Sequence, residues 1–409
     1  MSQAKNYKIK QTLLATKSRR KGMDCVVFEL KIDSSKISKV KRASLEQAFR
    51  EAKWIYNEAL ASEDIFKYDA KRSVGVQVFN PISGLCDLIE IRPLTLGSQI
   101  KQSLVQRTKQ NIINLSLAKK KGRKVGKLKF KKEVNSIPLK QAGTTFKIER
   151  CNVTVQNLGK FKVSGLNQIR SEFEIANAIL LRKPSGYYFK ITIFREKVIK
   201  TPDKPPIGLD FGIKDAIVDS NGVKYNWKFE TKKIKRDHKR ASRKKKGSKN
   251  RQKAIQKLRK SYENVNNQKD DASNKFVASL KKYEKVVIQD ENLRGWQAGL
   301  FGSQIQSSIL GRIKAKIKTL ATSQVIGRFL PTTQLCPKCE KKNKIPLSKR
   351  IYDCPCGFSH PCRDTKAAQI ILILAERKSK PAEKETSFWE CFQYSFDKFL
   401  SLKQEATSL

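Results

Sequence analysis

Between Cys336 and Cys356 the sequence leaves the chain less freedom than anywhere else. Cys336-Pro-Lys-Cys339 brings two thiols close together, and Cys354-Pro-Cys356-Gly357 does so again fourteen residues later. Five of the nine cysteines lie between Cys336 and Cys362, while Cys25, Cys86, Cys151 and Cys391 are scattered. A local cluster of this kind reads as metal binding rather than as a disulfide framework. Four thiolates from two knuckles satisfy a tetrahedral Zn2+, and the binding energy folds a loop with little core of its own. The second knuckle is CxC rather than CxxC, and His360 and Cys362 are nearby substitutes for one ligand. Four protein ligands leave no open position, so the zinc is expected to be structural. No thioredoxin-type βαβ pattern surrounds Cys336, which argues against a redox CxxC.

Charge limits the partners. The 409 residues hold 87 Lys and Arg against 37 Asp and Glu, a formal +50 at pH 7. Such a charge repels itself in a compact chain and needs a polyanion to screen it. Acidic metabolites are too small for that; nucleic acid fits, because each phosphate contact releases a condensed counterion. A hydrophobic share of 39% still supplies cores for a chain of this length, which as a prior holds roughly two to four domains. The longest apolar run, Ile370 to Ala375, falls far short of the ~18 residues of a membrane span. The opening Met-Ser-Gln-Ala-Lys-Asn lacks the apolar stretch of a signal peptide. The expectation is a cytoplasmic protein with no membrane partner; its oligomeric state is not legible.

Patterning divides the chain. Residues 1–15 and 24–33 read as strands, the second alternating Val26, Phe28, Leu30 and Ile32 with more polar neighbours. Residues 34–61 read as a helix with Leu45, Phe49, Ala52, Ile55 and Leu60 on one stripe, and residues 98–118 as another. Residues 118–132 are basic, with two Gly breakers and a final alternation of apolar residues with Lys. They read as a loop entering a strand with a phosphate-facing edge. Period-two patterning over residues 144–197 gives short strands, with a hairpin across Lys183-Pro184-Ser185-Gly186. The N-terminal half is therefore a small β-barrel or sandwich carrying a helical insertion. Pro202, Pro205 and Pro206 mark the boundary to the second half.

That half opens on an apolar strand, residues 207–211, and returns through Ala216-Ile217-Val218 to a turn at Ser220-Asn221-Gly222. Residues 232–260 hold sixteen Lys and Arg and a single acid, Asp237. Their second half reads as helical, and the stretch reads as a polyanion-binding helix or lid. A further helix over 272–283, a strand at Val286-Val287-Ile288 and a helix over 304–320 follow. Trp54, Tyr56 and Trp296 read as core rather than as base-stacking platforms.

Three acids stand at the ends of apolar elements: Asp210 in Ile-Gly-Leu-Asp-Phe-Gly, Glu291 in Val-Val-Ile-Gln-Asp-Glu-Asn-Leu, and Asp364 opening Arg-Asp-Thr-Lys-Ala-Ala-Gln. An acid placed there is costly unless a positive charge offsets it. Mg2+ prefers octahedral oxygen ligands, commonly one or two carboxylates plus substrate phosphate. Two such ions ~3.5–4 Å apart activate water and stabilise the leaving 3′ oxygen in phosphodiester hydrolysis. Singly, each acid also fits a local role: a Gly-turn cap, a surface loop, a helix N-cap. Their joint order, with the cysteine cluster just before the third, points to a shared metal site.

These motifs together resemble the split RuvC nuclease domain of the TnpB family, the IS200/IS605-type insertion-sequence RNA-guided nucleases, and of the related miniature type V CRISPR effectors. Thr-Thr-Gln-Leu-Cys before the first knuckle and Lys-Lys-Gly-Arg-Lys-Val-Gly at residues 120–126 are similar to the same family. The resemblance covers about residues 207–375 closely and the N-terminal half more loosely. It departs from the family at Cys362-Arg363-Asp364, where the family often has Asp-Arg-Asp, and at Lys366, where Asn is usual.

The resemblance implies an α/β and β multidomain fold. A wedge-type β-barrel spans 1–33 and 121–200, and a helical recognition insertion spans 34–120. A RuvC-like, RNase H-like nuclease domain spans 201–331 and 362–380. A zinc-binding target-nucleic-acid lobe spans 332–361, and a C-terminal tail 381–409. It implies Mg2+ on Asp210, Glu291 and Asp364, with Glu291 rather than Asp290 because the family pattern is acid-x-Leu. It implies structural Zn2+ on Cys336, Cys339, Cys354 and Cys356. The partners implied are a noncoding guide RNA and target DNA read beside a short flanking motif. Phosphates are expected on Lys119, Lys120, Lys121, Arg123, Lys124 and Lys127, and on Arg240, Arg243, Lys244, Lys245 and Lys246. The expected activity is RNA-guided DNA cleavage. Alternatives are a guided repressor that binds without cutting, a zinc-ribbon RNA-binding protein and, less favoured, a strand-transferring transposase.

Overall fold

Strands that are apolar at every position, rather than at every second one, must be covered on both faces. In a computed structural model of the chain, which describes residues 2–70, 72–79, 84–198, 201–346 and 348–377, this is how the second half is built. The described residues fall into two units, divided after Val198. The result is a mixed α/β architecture with several sheets.

The first unit opens with α1 (Ser2–Lys21), β1 (Met23–Lys31), α2 (Lys39–Ala61), β2 (Val74–Phe79), β3 (Cys86–Ile91) and α3 (Ser98–Lys120). The strands β4 (Ser136–Leu139), β5 (Phe146–Glu149), β6 (Asn152–Val155), β7 (Gly159–Lys162), β8 (Glu174–Lys183) and β9 (Gly186–Glu196) follow. Four strands form an antiparallel sheet in the order β1-β9-β8-β4, and β5-β6-β7 form a second sheet. A bridge between Ile32 and Val163 links them. Leu45, Phe49, Ala52 and Ile55 of α2 are buried in the same core as Ile137, Phe189 and Ile191 of the first sheet. The β2–β3 hairpin lies between the two long helices in sequence.

Two expectations fail here. Residues 1–15 are not a strand: Ser2–Lys21 is one helix. Gln, Ala, Leu, Lys and Arg, all good helix formers, outweigh a brief alternation around Tyr7 and Ile9. Arg19, Arg20 and Lys21 in its last turn suit the helix dipole, and both arginines clasp Glu174. The basic stretch at 118–132 does not end in a strand. The helix α3 continues through Lys120, and no regular element occupies residues 121–132.

The second unit comprises β10 (Ile207–Phe211), β11 (Ile217–Asp219), β12 (Lys224–Tyr225), α4 (Lys232–Ser242), α5 (Lys249–Leu280), β13 (Val286–Gln289), α6 (Leu293–Ala298), α7 (Gly302–Ser307), α8 (Leu310–Ile317) and β14 (Ser323–Ile326). Two very short strands, β15 (Tyr352–Asp353) and β16 (Ser359–His360), precede α9 (Arg363–Arg377). The sheet order is β12-β11-β10-β13-β14, with β10, β13 and β14 parallel and β11 antiparallel to β10. Ile207, Leu209, Val286 and Ile288 face α5 and α8. On the other face Val287 packs with Ile371, Leu372 and Ala375 of α9. Each such burial contributes about 1.5–3 kcal/mol.

Helix boundaries differ from the sequence reading at two places. The helix expected over 272–283 is the end of α5, which runs unbroken for 32 residues. The helix expected over 304–320 is two: α7 ends at Ser307, and Ser308 is extended. The hydroxyls of Ser307 and Ser308 donate back to the Gln304 and Ile305 carbonyls, a competition that interrupts helices. Ile309, Ile313 and Ile317 are nonetheless buried along one face. The proposed tail, 381–409 with Phe388 and Trp389, lies outside the described residues.

Gly208 permits the close approach of α9 to the sheet. A Cβ there would stand 2.1 Å from the Ala368 carbonyl oxygen and 3.2 Å from Leu372. Gly208→Ala is therefore expected to destabilise this unit by about 1–3 kcal/mol, measurable as a lowered urea midpoint. An unchanged midpoint would show that α9 yields freely.

Candidate functional site

Side chains alternate along a strand. With Ile207, Leu209 and Phe211 committed to the α5–α8 side, Asp210 must point with Gly208 toward α9. Glu291 follows the end of the parallel neighbour β13, and Asp364 lies in the first turn of α9, where the helix dipole favours an acid. The fold thus brings all three acids to one cleft of about 680 Å³, also lined by Trp296, Phe301, Arg328, Arg350 and Arg363.

The cleft sets its three acids among the cations Arg328, Arg350 and Arg363. Burial pushes the Asp210 carboxyl well above the usual range, and Asp364 and Glu291 push it further; Arg363 and Lys366 act the other way without cancelling this. Burial also raises Glu291, against the pull of Lys314 and Arg328. Asp364 is held by Arg350 at 3.0 Å and by Arg363 at 3.4 Å. Among the described residues, the three acids share the cleft but do not form a group with all donor atoms within 4.8 Å of one another; the four cysteines do. Mutual repulsion and the two arginines account for the looser arrangement.

Asp290 has a different fate from its neighbour. Lys314 at 2.9 Å, Lys318 at 2.8 Å and Arg328 at 3.3 Å surround it. Hydrogen bonds from Lys318 and Lys314 hold its carboxyl well below the usual range, and it does not line the acid cleft. Sequence reasoning missed Gln289, whose amide donates to the Gly327, Arg328 and Leu330 carbonyls and whose oxygen accepts from Thr332. It fixes the wall of the cleft beside Glu291. Arg350 and Lys366 were also missed as site residues. A lysine three residues before Gln369 in an otherwise apolar helix was the available signal for Lys366.

The cysteines Cys336, Cys339, Cys354 and Cys356 converge, with sulfur separations of 3.6 Å for Cys336–Cys356 and 3.7 Å for Cys339–Cys354. A tetrahedral ion bound at about 2.3 Å sets neighbouring sulfurs about 3.8 Å apart, so the cluster has the dimensions of a four-thiolate zinc site. Gly357 at φ 85° turns the second knuckle, a conformation that favours glycine. Burial pushes the Cys336 thiol up to about 12. His360 is buried and accepts from the Cys362 N–H at 3.1 Å; neither joins the four-sulfur group.

The basic residues lie on the surface. Lys119 and Lys120 are exposed in the last turn of α3, and Lys121, Arg123, Lys124 and Lys127 are exposed beyond it. On α4, Ile234, Asp237 and Ala241 are buried, and Asp237 accepts from Ser261 of α5. The opposite face and the following turn form a concave surface of Lys235, Arg236, Lys239, Arg240, Arg243 and Lys244. Lys245 and Lys246 are exposed next to it. Of the aromatics, Tyr56 is core, Trp54 packs on the core, and Trp296 lines the acid cleft. Among the described residues, no helix is long and apolar enough to cross a membrane.

Comparisons with known proteins find similarity at the level of sequence. Residues 194–296, which include Asp210 and Glu291, match the OrfB_IS605 family, described as "Probable transposase". A protein of Streptomyces pristinaespiralis, named provisionally as an RNA-guided DNA endonuclease, is 28% identical over 204 residues, 47% of this chain. The chain spans about half of that relative, 50% of its length. A cryo-EM structure of a Cas12f1–sgRNA–target DNA complex aligns with 85% of this chain and 99% of its own at 14% identity. Its TM-score of 0.23 carries no argument. Over residues 194–296 the chain is thus similar to the OrfB_IS605 family, and over about half its length to that relative.

Proposed function

We propose that the chain is an RNA-guided DNA endonuclease. The observation that carries this reading is the meeting of Asp210, Glu291 and Asp364, from distant segments of a strongly basic chain, in one cleft. All three are oxygen donors, the set that suits Mg2+. Bound there, Mg2+ would activate water and stabilise the charge of a cleaved phosphodiester. The protein's share is to hold the acids in place: Asp210 on a strand buried on both faces, Glu291 beside the wall fixed by Gln289, and Asp364 on the first turn of α9. Arg350 and Arg363, now on Asp364, are placed to meet phosphate oxygens.

In this reading the four-cysteine centre holds structural Zn2+ and shapes a target-nucleic-acid lobe over 332–361. The two-sheet first unit serves as a wedge barrel (1–33 and 121–200) with a helical recognition insertion (34–120) that reads a short flanking motif. The unit around the five-stranded sheet (201–331 and 362–380) serves as a RuvC-like domain. The cations near Lys119–Lys127 and along α4 hold phosphates of a guide RNA and of its duplex with target DNA. Base pairing then reads sequence while protein reads shape.

The test is to purify the chain expressed with its native flanking DNA and sequence the RNA that comes with it. Plasmid bearing the matching target and randomised flanks is then added with Mg2+. Guided cutting beside a preferred flank is the expected result. Guided binding without cutting would assign a repressor instead, and bulk RNA without a defined guide would leave an RNA-binding zinc protein.

A further inference from the structure

Lys366 is completely buried on α9. Its ammonium donates to the Thr333 and Leu335 carbonyls at 2.8 Å each and sits 3.7 Å from the centre of the Tyr352 ring. Tyr352 is itself buried, and its hydroxyl donates to the Gln334 carbonyl at 3.0 Å. One side chain thus ties α9 to the three residues that lead into the first knuckle. Among the described residues, no carboxylate forms an ion pair with Lys366. A buried cation without a counter-charge is costly, and two carbonyls and a ring face supply only part of the compensation.

Burial lowers the pKa of the Lys366 ammonium, against the pull of Cys336, Asp210 and Cys354. Tyr352, whose ring meets the ammonium, packs in the same small core as Cys336, Cys339, Cys354 and Cys356. Four thiolates around a divalent ion leave two surplus negative charges in a half-buried site. We propose that Lys366 is a positioning residue of the four-cysteine centre: its buried ammonium offsets the surplus charge of the zinc–thiolate group and pins the entering loop to α9. This rests on the zinc reading of the cluster and is independent of guided cleavage. It gives a physical role to one position where the chain departs from its family, since Asn would reach neither carbonyl with a charge.

The experiment uses the full chain, zinc-loaded, and follows zinc release to a chromogenic chelator. Lys366→Gln keeps a hydrogen-bond donor and removes the charge; release is expected about 10–100-fold faster, the usual effect of losing a partner of the ligands. Lys366→Arg keeps the charge and is expected to stay near the unaltered rate. Melting with and without zinc is the second readout: a charge role lowers the melting point of the zinc-loaded protein more than that of the zinc-free one. A folded Arg variant beside Gln and Asn variants that do not fold supports the same conclusion. Release from Lys366→Gln at the unaltered rate, release from Lys366→Arg as fast as from Lys366→Gln, or equal melting losses with and without zinc would overturn it. Absence of zinc from the unaltered protein would overturn the zinc reading itself.

Discussion

Asp210→Asn is expected to abolish DNA cleavage, by 10³-fold or more, while leaving guide-RNA and target binding unchanged. A 10³-fold loss corresponds to about 4 kcal/mol of barrier. The reason is placement. Of the three acids of the cleft Asp210 is the one buried on the sheet beneath α9, and it lies within the field of both others. The amide keeps the shape of the side chain but cannot supply the negative charge that a divalent ion requires. The basic surface of α4 is untouched, so binding, read by gel shift with the guide present, should not move.

The same substitution should make the protein more stable. In the folded chain Asp210 is desolvated and faces like charge, with only Arg363 and Lys366 in opposition. Removing such a charge relieves a penalty of about 1–3 kcal/mol, worth a few degrees in the melting point of the metal-free protein. A carboxylate serving only to cap the Gly212 turn would behave the other way and lose stability on substitution. Opposite signs for cleavage and stability therefore separate the two roles. Cleavage in Mg2+ by the Asn variant at the unaltered rate would remove Asp210 from the chemistry.

What was legible in the sequence was whatever local pattern decides. Ile207–Phe211 and Val286–Gln289 are buried on both faces, and continuous apolar runs announce that directly. Asp210 stands out in such a run because a charge there contradicts its surroundings. The cysteine knuckles are legible for a similar reason, since their spacing fixes local geometry. The contacts that complete the cleft depend on tertiary packing. Arg350 sits in a polar loop, Leu-Ser-Lys-Arg, with no period, and meets Asp364 only because the Arg363 N–H docks on the Arg350 carbonyl at 2.7 Å. Lys366 stands in the sequence only as a departure from the family pattern, and its contacts follow from laying α9 against the first knuckle. At α1 the cause is local: a few alternating residues stand inside a window of strong helix formers, and the window decides. The break at Ser308 turns on hydroxyls competing for carbonyls, which apolar periodicity does not register.

Removing zinc, or changing Cys336 to Ser, is expected to unfold residues 333–362 while the five-stranded sheet stays folded. Among its described residues that segment has only two two-residue strands of its own. Its buried apolar cluster is Cys336, Tyr352 and Phe358 packed on Ile370 and Ile373 of α9. A core this small cannot offset the conformational entropy of some thirty ordered residues, at about 1–2 kcal/mol each. A structural zinc site contributes about 10–16 kcal/mol at neutral pH, the scale the segment lacks. The sheet has separate support, since Ile207, Leu209, Val286 and Ile288 pack on α5 and α8 without any residue of the knuckles. Limited proteolysis should therefore cut the Cys336→Ser protein between residues 337 and 353 and leave β10 to β14 intact. DNA cleavage should fall with it, because Arg350 lies inside the freed segment and Asp364 loses the guanidinium that places it. Binding through α4 should persist. A Cys336→Ser protein that resists protease in this segment and still cuts DNA would show that the loop is held by its own packing.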